Sequence, residues 1–492
     1  MGAGSHARLR RRCKDLSYCL NAVVTAAQTI LPTLPLSEPE TLAGATELNG
    51  FDKAEREDNK LKLSDRTAHQ WYRFVLSYPP HLVRDYMAKF GLNERHRVLD
   101  PFCGTGTTVV ECKKLGIPSV GLEANPIVRF ASQTKLRWDV DADALLKHAK
   151  AVAKAAEQKL RADGIEDTAA LPLFANGHRQ AADLRGLTAE ENKLLLTNSI
   201  SPLPLHKTLV LLETLKEHAV PRFSDHERLA LSSAVVNGIS NLHFGPEVGV
   251  GPAKTDAPVL SLWLRNVRAM CDDLRELRQA AATEAVVYEA DSREVAQVLA
   301  PNTVDAVITS PPYPNEKDYT RTTRLESVLL GFIRSKAELQ ALKRRLVRSN
   351  TRGVYKADRD DELVSDHAEI QRIATAIEAR RIELEKTSGF ERLYARVTKL
   401  YFGGMARHLA ELRKVLRPGA QLAYVVGDQA SYLRIMIRTG ELLADIAASL
   451  GYEVTGIDLF RTRLATATRE QLREEVVLLR WSGKRARKGS SK

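Results

Sequence analysis

A mostly parallel, doubly wound α/β sheet is the fold class this sequence predicts. Three observations carry the prediction. First, HRVLDPFCGTGTTVVECKKLGIPSVGLEANP strings together a short apolar run, a glycine loop, a helix-like segment and a second apolar run. Second, EAVVYEADSREV and TVDAVITSPPY hold further apolar runs that stop at an acid or at prolines. Third, QLAYVVGD, YEVTGIDL and EEVVLLRW alternate with helical spacing near the end. Strands joined through helices need crossover connections, and crossovers make neighbouring strands parallel.

The elements follow in order. The chain has 492 residues, room for about three domain-sized units or one large domain with insertions. Residues 1–64 read as a leader and helix, with a basic run RLRRRCK and a charged run EREDNK. The core begins over 65–130. A helix is predicted from Asp65, and FVLSYPPHLVRDYMAKFG opens another, with Pro79 and Pro80 suited to its first turn. Val98 and Leu99 are the visible part of a buried strand; a helix is predicted over about 107–115, then a strand SVGLE ending at Glu123. Residues 131–284 read as a helical insertion and a place for target recognition. Within it, DADALLKHAKAVAKAAEQKL has helical spacing and NLHFGPEVGVGPAKTDAP is a long Gly/Pro loop. The core resumes over 285–324. A charged helical insertion fills 325–400, the core closes over 401–481, and 482–492 form a basic tail of disordered type.

Lys and Arg number 73 against 61 Asp and Glu, a net charge of +12. That excess draws polyanions at moderate salt; it suits a generically basic enzyme or one whose substrate is nucleic acid. Five scattered cysteines form no metal-type cluster, so neither a metal nor disulfides are expected and a reducing cytosol is. No stretch approaches ~20 uninterrupted apolar residues, so no membrane span is expected.

Gly104-Thr105-Gly106 follows a buried strand and precedes a helix, the context in which glycine lets the backbone approach a ligand. Glu123 ends the second strand, where an acid can accept both hydroxyls of a ribose. The glycine spacing departs from a dinucleotide fingerprint, and Thr107-Thr108 stand where a phosphate cradle wants Gly or Lys. A ligand with a ribose and no phosphate fits better. Asp291 ends a third strand and is placed to accept from an exocyclic amine such as that of adenine; alone, Asp-Ser there is more often a helix N-cap.

The stretch VITSPPY ends a strand in two prolines. Each ring fixes φ and removes an N–H, which leaves the carbonyls of Ser310 and Pro311 aimed in fixed directions. Ser310 adds a hydroxyl acceptor, and Tyr313 can stack on a flat ring. Acceptors that grip an NH₂ beside a stacking surface are what methylation of a base's exocyclic amine requires: hydrogen bonds hold and polarise the nitrogen for in-line transfer, largely by positioning. A base inside a duplex is out of reach, so it would be flipped out. Taken alone, Ser-Pro-Pro-Tyr reads equally as a rigid surface turn.

Together, DPFCGTGTT, GLEANP and TSPPY resemble the amino-methylating DNA methyltransferases, which make N4-methylcytosine or N6-methyladenine. The resemblance covers roughly 70–130, 285–325 and 400–481. It implies a Rossmann-like seven-stranded methyltransferase sheet interrupted by two large helical insertions, S-adenosylmethionine as cofactor, and double-stranded DNA as partner, with a cognate restriction endonuclease as a further partner. By the same resemblance, Asp100, Phe102, Gly104, Gly106 and Thr108, with Pro101 and Thr107 among them, surround the methionine part. Glu123 binds the ribose and Asp291 lies near the adenine. FVLSYPPHLV resembles the motif that closes the cofactor site, which puts Tyr78 on the methionine moiety, although Ser77-Tyr78 replaces the usual Lys-Phe. Ser310, Pro311, Pro312 and Tyr313 form the catalytic loop. Ser-Pro-Pro-Tyr is the version similar to N4-cytosine enzymes, whereas Asp-Pro-Pro-Tyr leans toward adenine. C5-cytosine chemistry is not expected, because it needs the nucleophile of a Pro-Cys pair and the chain has none.

For DNA, Tyr319, Arg321 and Arg324 follow the catalytic loop closely enough to touch the target nucleotide or flanking phosphates. KRRLVRSNTRGVYK offers Arg344, Arg345, Arg348, Arg352 and Lys356 as phosphate contacts, or as a solvated helical face. The large insertion falls between the second and third strands, away from the family's commonest orders, so no position for target recognition is carried over.

Overall fold

A computed structural model describes residues 61–72, 77–167, 184–244, 247–315, 317–464 and 471–483. The leader up to residue 60 and the tail from 484 lie outside them.

The strands in chain order are β1 (Val98–Asp100), β2 (Ser119–Leu122), β3 (Leu242–Phe244), β4 (Val248–Val250), β5 (Ala285–Tyr288), β6 (Val304–Thr309), β7 (Leu416–Gly427), β8 (Glu453–Leu464) and β9 (Gln471–Arg480). Seven of them form one sheet in the order β5-β2-β1-β6-β7-β9-β8, and β3 and β4 make a separate hairpin. The pairs from β5 to β7 are parallel, while β9 runs antiparallel to both β7 and β8. The chain leaves β1 on one side for β2 and β5, then crosses over to β6 and β7. Open α/β sheets bind ligands outside the carboxyl ends of the strands at such a switch point.

Side chains alternate between two covered faces. Val98, Ala306, Ile308, Ala423 and Val425 pack with Leu82, Val83 and Met87 of the helix Pro80–Lys89. Their neighbours Leu99, Val307, Leu422, Tyr424 and Val426 pack on the other face with Phe402, Met405 and Leu409 of the helix Tyr394–Leu412, and with Leu443 and Ile446 of the helix Thr439–Ser449. Burial on both faces is why these strands read as near-continuous apolar runs. Each fully buried Leu, Ile or Val contributes roughly 1.5–3 kcal/mol.

The segment between β2 and β5 is helical as expected, with helices Ala142–Ala162, Pro202–Glu217, Pro221–Ala234 and Val259–Leu277. Trp138, Leu145, Trp263 and Val267 anchor a core that runs on to Val109, Val110 and Val287 at the sheet. Two expectations change. The Gly/Pro loop contains the β3–β4 hairpin. The helix expected from Asp65 is instead two 3-10 turns, Leu63–Asp65 and His69–Trp71, separated by Ala68 at φ 63°. The cause is Asp273, whose carboxylate accepts from the Ala68 amide at 2.9 Å and from the Trp71 indole at 2.7 Å; a continuous helix cannot present both donors to one carboxylate. Among the described residues no helix is long and apolar enough to cross a membrane, and no cluster of His, Cys, Asp or Glu is set to hold a metal ion.

Candidate active site

A cavity of about 640 Å³ lies at the carboxyl ends of the central strands. Its walls come from four places that sequence reading singled out: Tyr78, the Pro101–Thr107 loop, Glu123, and the Ser310–Tyr313 loop.

Asp100 is fully buried and does not reach the cavity. It is a brace. Its carboxylate accepts from Thr309 Oγ1 at 2.6 Å, the Phe102 amide at 3.2 Å and the Tyr78 hydroxyl at 3.2 Å. It thus joins the ends of β1 and β6 to the segment bearing Tyr78. Burial pushes its carboxyl up to about 6, against those hydrogen bonds. Thr108 is buried too; its hydroxyl meets that of Tyr78 and donates to the Ile308 carbonyl at 3.0 Å. Gly106 caps the helix Thr107–Lys114 at φ 89°, and a Cβ there would stand 3.1 Å from Ser132 Cβ, so position 106 requires glycine. Cys103 packs against Gly121 of β2, where a Cβ would come 2.5 Å from its sulfur. Burial raises its thiol, which makes it a packing group and no nucleophile.

Glu123 stands at the end of β2. One carboxylate oxygen accepts from the Gly104 amide at 2.9 Å and the other from the Asn125 amide at 2.7 Å. These bonds fix the carboxylate's plane and leave lone pairs for a further donor. Desolvation pushes this carboxyl up to about 7, with the two amides pulling the other way. Asp291 differs from its expectation. Its neighbours Ala290 and Ser292 line the cavity, but its own carboxylate is bound on both oxygens by Arg293.

At the end of β6, Ser310 donates its hydroxyl to the Val425 carbonyl of β7 at 3.1 Å. With the proton committed, the oxygen faces other partners as an acceptor. Pro311 is buried, and Pro312 and Tyr313 are half-buried. The Tyr313 carbonyl accepts from the Asn315 amide at 2.8 Å, closing the turn. Burial raises its phenol well above the ordinary range, with Glu474 adding to the effect.

Of the residues expected at DNA, Tyr319 lines the cavity. Two arginines turn inward, and their expectation is corrected. Arg324 donates to the backbone of Thr320 at 3.0 Å and of Leu194 at 3.2 Å. Arg348 is a buried pair with Asp358, held at 2.9 and 2.8 Å. Both satisfy carbonyls or a carboxylate that burial would otherwise leave unmatched. Arg321 does not line the cavity, and its Nε is buried without a partner. Arg352 keeps about a third of its side chain exposed, 4.0 Å from Glu247.

Sequence reading missed two parts of the wall. The segment from Lys343 to Asn350 contributes Val347 and Asn350 among others. The β8–β9 hairpin contributes Phe460, Arg461, Arg463 and Glu474, with Arg461 on both Glu474 oxygens at 2.6 and 3.0 Å. Both lie more than a hundred positions from the glycine loop, where no local spacing connects them.

Residues 48–132 match the N6/N4 methyltransferase family model, described as DNA methylase. The chain is also similar, over most of its length, to two curated proteins. It is 26% identical to the Type II methyltransferase M.BsoBI of Geobacillus stearothermophilus over 445 residues, 85% of each chain. It is 24% identical to the Type II methyltransferase M.AvaI of Nostoc sp. strain PCC 7120 over 438 residues, 84% of this chain and 86% of the other. The chain resembles the amino-methylating DNA methyltransferases. A shorter likeness, 38% over 83 residues and 16% of each chain, links this chain to the Type II methyltransferase M.MjaII of Methanocaldococcus jannaschii. The seven-stranded order, with β9 antiparallel between β7 and β8, is the Rossmann-like methyltransferase sheet expected from the motifs.

Proposed function

We propose that this protein transfers a methyl group from S-adenosylmethionine to the exocyclic N4 amine of a cytosine flipped out of double-stranded DNA. One observation carries the reading: the acceptor oxygen of Ser310 and the ring of Tyr313 share a cavity with Glu123 and Gly104. The residues fit the cofactor. The glycine turn holds Glu123 through the Gly104 amide, and the half-buried carboxylate has acceptor capacity for ribose hydroxyls. Pro101, Phe102, Gly104 and Thr107 line the adjoining wall for the methionine part, and Tyr78, locked on Asp100, closes it. When bound, the cofactor supplies an electrophilic methyl on a sulfonium.

The remaining chemistry belongs to the chain. Pro311 and Pro312 stiffen the loop, so the acceptors at Ser310 and Pro311 stay aimed without reorganisation. They bind the two amine protons of the base and shift electron density toward the nitrogen. Tyr313 stacks on the base, offsetting part of the few kcal/mol that extrusion from the duplex costs. Serine in place of aspartate at 310 favours cytosine over the second reading, N6-adenine. DNA is held by cations around the cavity: Arg463 is 44% exposed, and Lys317 and Arg352 lie nearby. Residues 131–284 and 325–400 are the places for target recognition. We place the protein in a prokaryotic cytosol or nucleoid beside a cognate restriction endonuclease.

Expression in a methylation-free host, followed by base-resolved sequencing, tests this. N4-methylcytosine at one recurring sequence is expected. N6-methyladenine would move the reading to the adenine branch. Methylation of RNA alone, or of no nucleic acid, would overturn it.

A further inference from the structure

Family resemblance puts an acceptor for adenine at Asp291, yet that carboxylate is saturated. An ionised carboxylate offers about four acceptor positions. One oxygen of Asp291 accepts from the Arg293 amide at 2.9 Å and from Nε at 3.0 Å; the other accepts from Nη2 at 2.7 Å and from Nε at 3.2 Å. Both side chains are 7% exposed. A ligand amine would have to displace the guanidinium.

The same guanidinium reaches the second insertion at two points. Nη1 donates to Asp360 at 2.7 Å, and Nη2 donates to the Arg344 carbonyl at 2.9 Å. These two residues bracket the segment that supplies Val347, Ser349 and Asn350 to the cavity. The segment is stapled internally by Arg348 on Asp358. It is held from below because Gly403 has no Cβ; a methyl there would run into the Asp360 carbonyl. Val347 packs in one cluster with Leu122 of β2 and Ala290 beyond β5, the end of the cavity beyond Glu123.

We propose that Arg293 and Asp360 are positioning residues for cofactor binding. With Asp291 they latch residues 344–360 against the end of β5, and the apolar wall around Val347, not the Asp291 carboxylate, receives the cofactor's adenine. The proposal rests on reading this cavity as the S-adenosylmethionine site. Asp360 does not line the cavity; its effect travels through Arg293, the nearer of its two cationic partners at 2.7 Å against 3.6 Å for Arg407. Removing its charge leaves the guanidinium with one carboxylate, and of the wall's two tethers only the Arg344 carbonyl keeps its full strength.

Calorimetry on the full chain tests the latch with two probes, S-adenosylhomocysteine and 5′-methylthioadenosine, which lacks the amino-acid part. Failure of the unaltered protein to bind S-adenosylhomocysteine would sink the reading of the site rather than the latch. Given that binding, Asp360→Asn should weaken both probes by the same factor, about 10-fold, the size of one lost charge-assisted hydrogen bond. Asp360→Glu should restore most of it, at a melting temperature near that of Asp360→Asn. Unchanged affinity for 5′-methylthioadenosine in Asp360→Asn would overturn the latch. Arg293→Lys keeps the charge and loses the fork; it should show the same loss, and it serves if Asp360→Asn does not fold.

Discussion

Gly427, the last residue of β7, lies against the Cδ2–Cε2 edge of the Tyr313 ring. A Cβ added at 427 would stand 2.8 Å from Tyr313 Cε2. The missing side chain leaves the space that this edge of the ring occupies. Gly427→Val should push the ring away from its stacking position. Misplacement by about 1 Å can cost about 100-fold in rate, so turnover is expected to fall by that order. S-adenosylhomocysteine affinity, measured by calorimetry, should stay within about two-fold.

Tyr313→Ala removes the stacking surface itself. Turnover should be abolished, while cofactor affinity stays within a few-fold. Loss of cofactor binding with methyl transfer intact would contradict the assignment. A fluorescent base analogue at the target position gives a separate readout: its emission on extrusion should weaken in step with turnover.

Glu123 and Asp100 give the cofactor end a pH signature. Their carboxyls are pushed up to about 7 and about 6 in the folded protein, above the unfolded value near 4. The folded state therefore binds protons more tightly than the unfolded one. This contribution to stability is full below pH ~4 and is lost as pH rises through ~6 to ~7. Thermal melts of the ligand-free protein should show Glu123→Gln flattening part of the decline between those values. Cofactor affinity runs the other way, because ribose hydroxyls need the carboxylate: it should rise from pH 6 to 8 in the unaltered protein. In Glu123→Gln it should be about 10- to 100-fold weaker and nearly flat across that range.

Gly403 sits where the helix Tyr394–Leu412 meets the turn Asp360–Val364. Gly403→Ala must push backbone from backbone, at a cost of about 1–3 kcal/mol. Chemical denaturation should report that loss without a change in m-value.

Arg463 reaches Glu474 at 3.4 Å while staying 44% exposed. Arg463→Gln should weaken binding about equally for cognate and unrelated duplexes, and should reduce the slope of log K against log salt by about 1. A change confined to the cognate site would make it a base-reading residue instead.

Much of the sheet was legible because β1, β2 and β6 are buried on both faces and the edge strand β5 keeps an apolar run around its buried Val287. They read as apolar runs that stop at Asp100, Glu123, Asp291 and Ser310, and these stops fall at one end of the sheet. What stayed hidden is of another kind. Asp291 is taken by Arg293, which also binds Asp360, 67 positions beyond Arg293 in the later insertion; the Asp-Ser-Arg spacing was a local hint, but only the fold shows the guanidinium's second partner. The inward turn of Arg348 was unreadable for the same reason, since an arginine in a basic run looks alike whether it meets water or Asp358. At Ala68 a local helical pattern lost to a tertiary carboxylate, Asp273. The β8–β9 hairpin carried no usable pattern: in IDLFRTRL the apolar Ile457 and Leu459 are exposed, while Phe460 and Arg461 line the cavity beside the Ser310–Tyr313 loop.

The 131–284 segment leaves the sheet after β2 and returns at β5, the outermost pair on that side. The strand order β2-β1-β6 that brings the glycine loop beside the Ser310–Tyr313 loop does not depend on the length of that segment. On the proposal that this segment reads the target, a gene fusion grafting the corresponding stretch of a relative between those two strands would import a foreign sequence preference, provided the graft keeps the Asp273 contacts to Ala68 and Trp71 and the packing on Val109, Val110 and Val287.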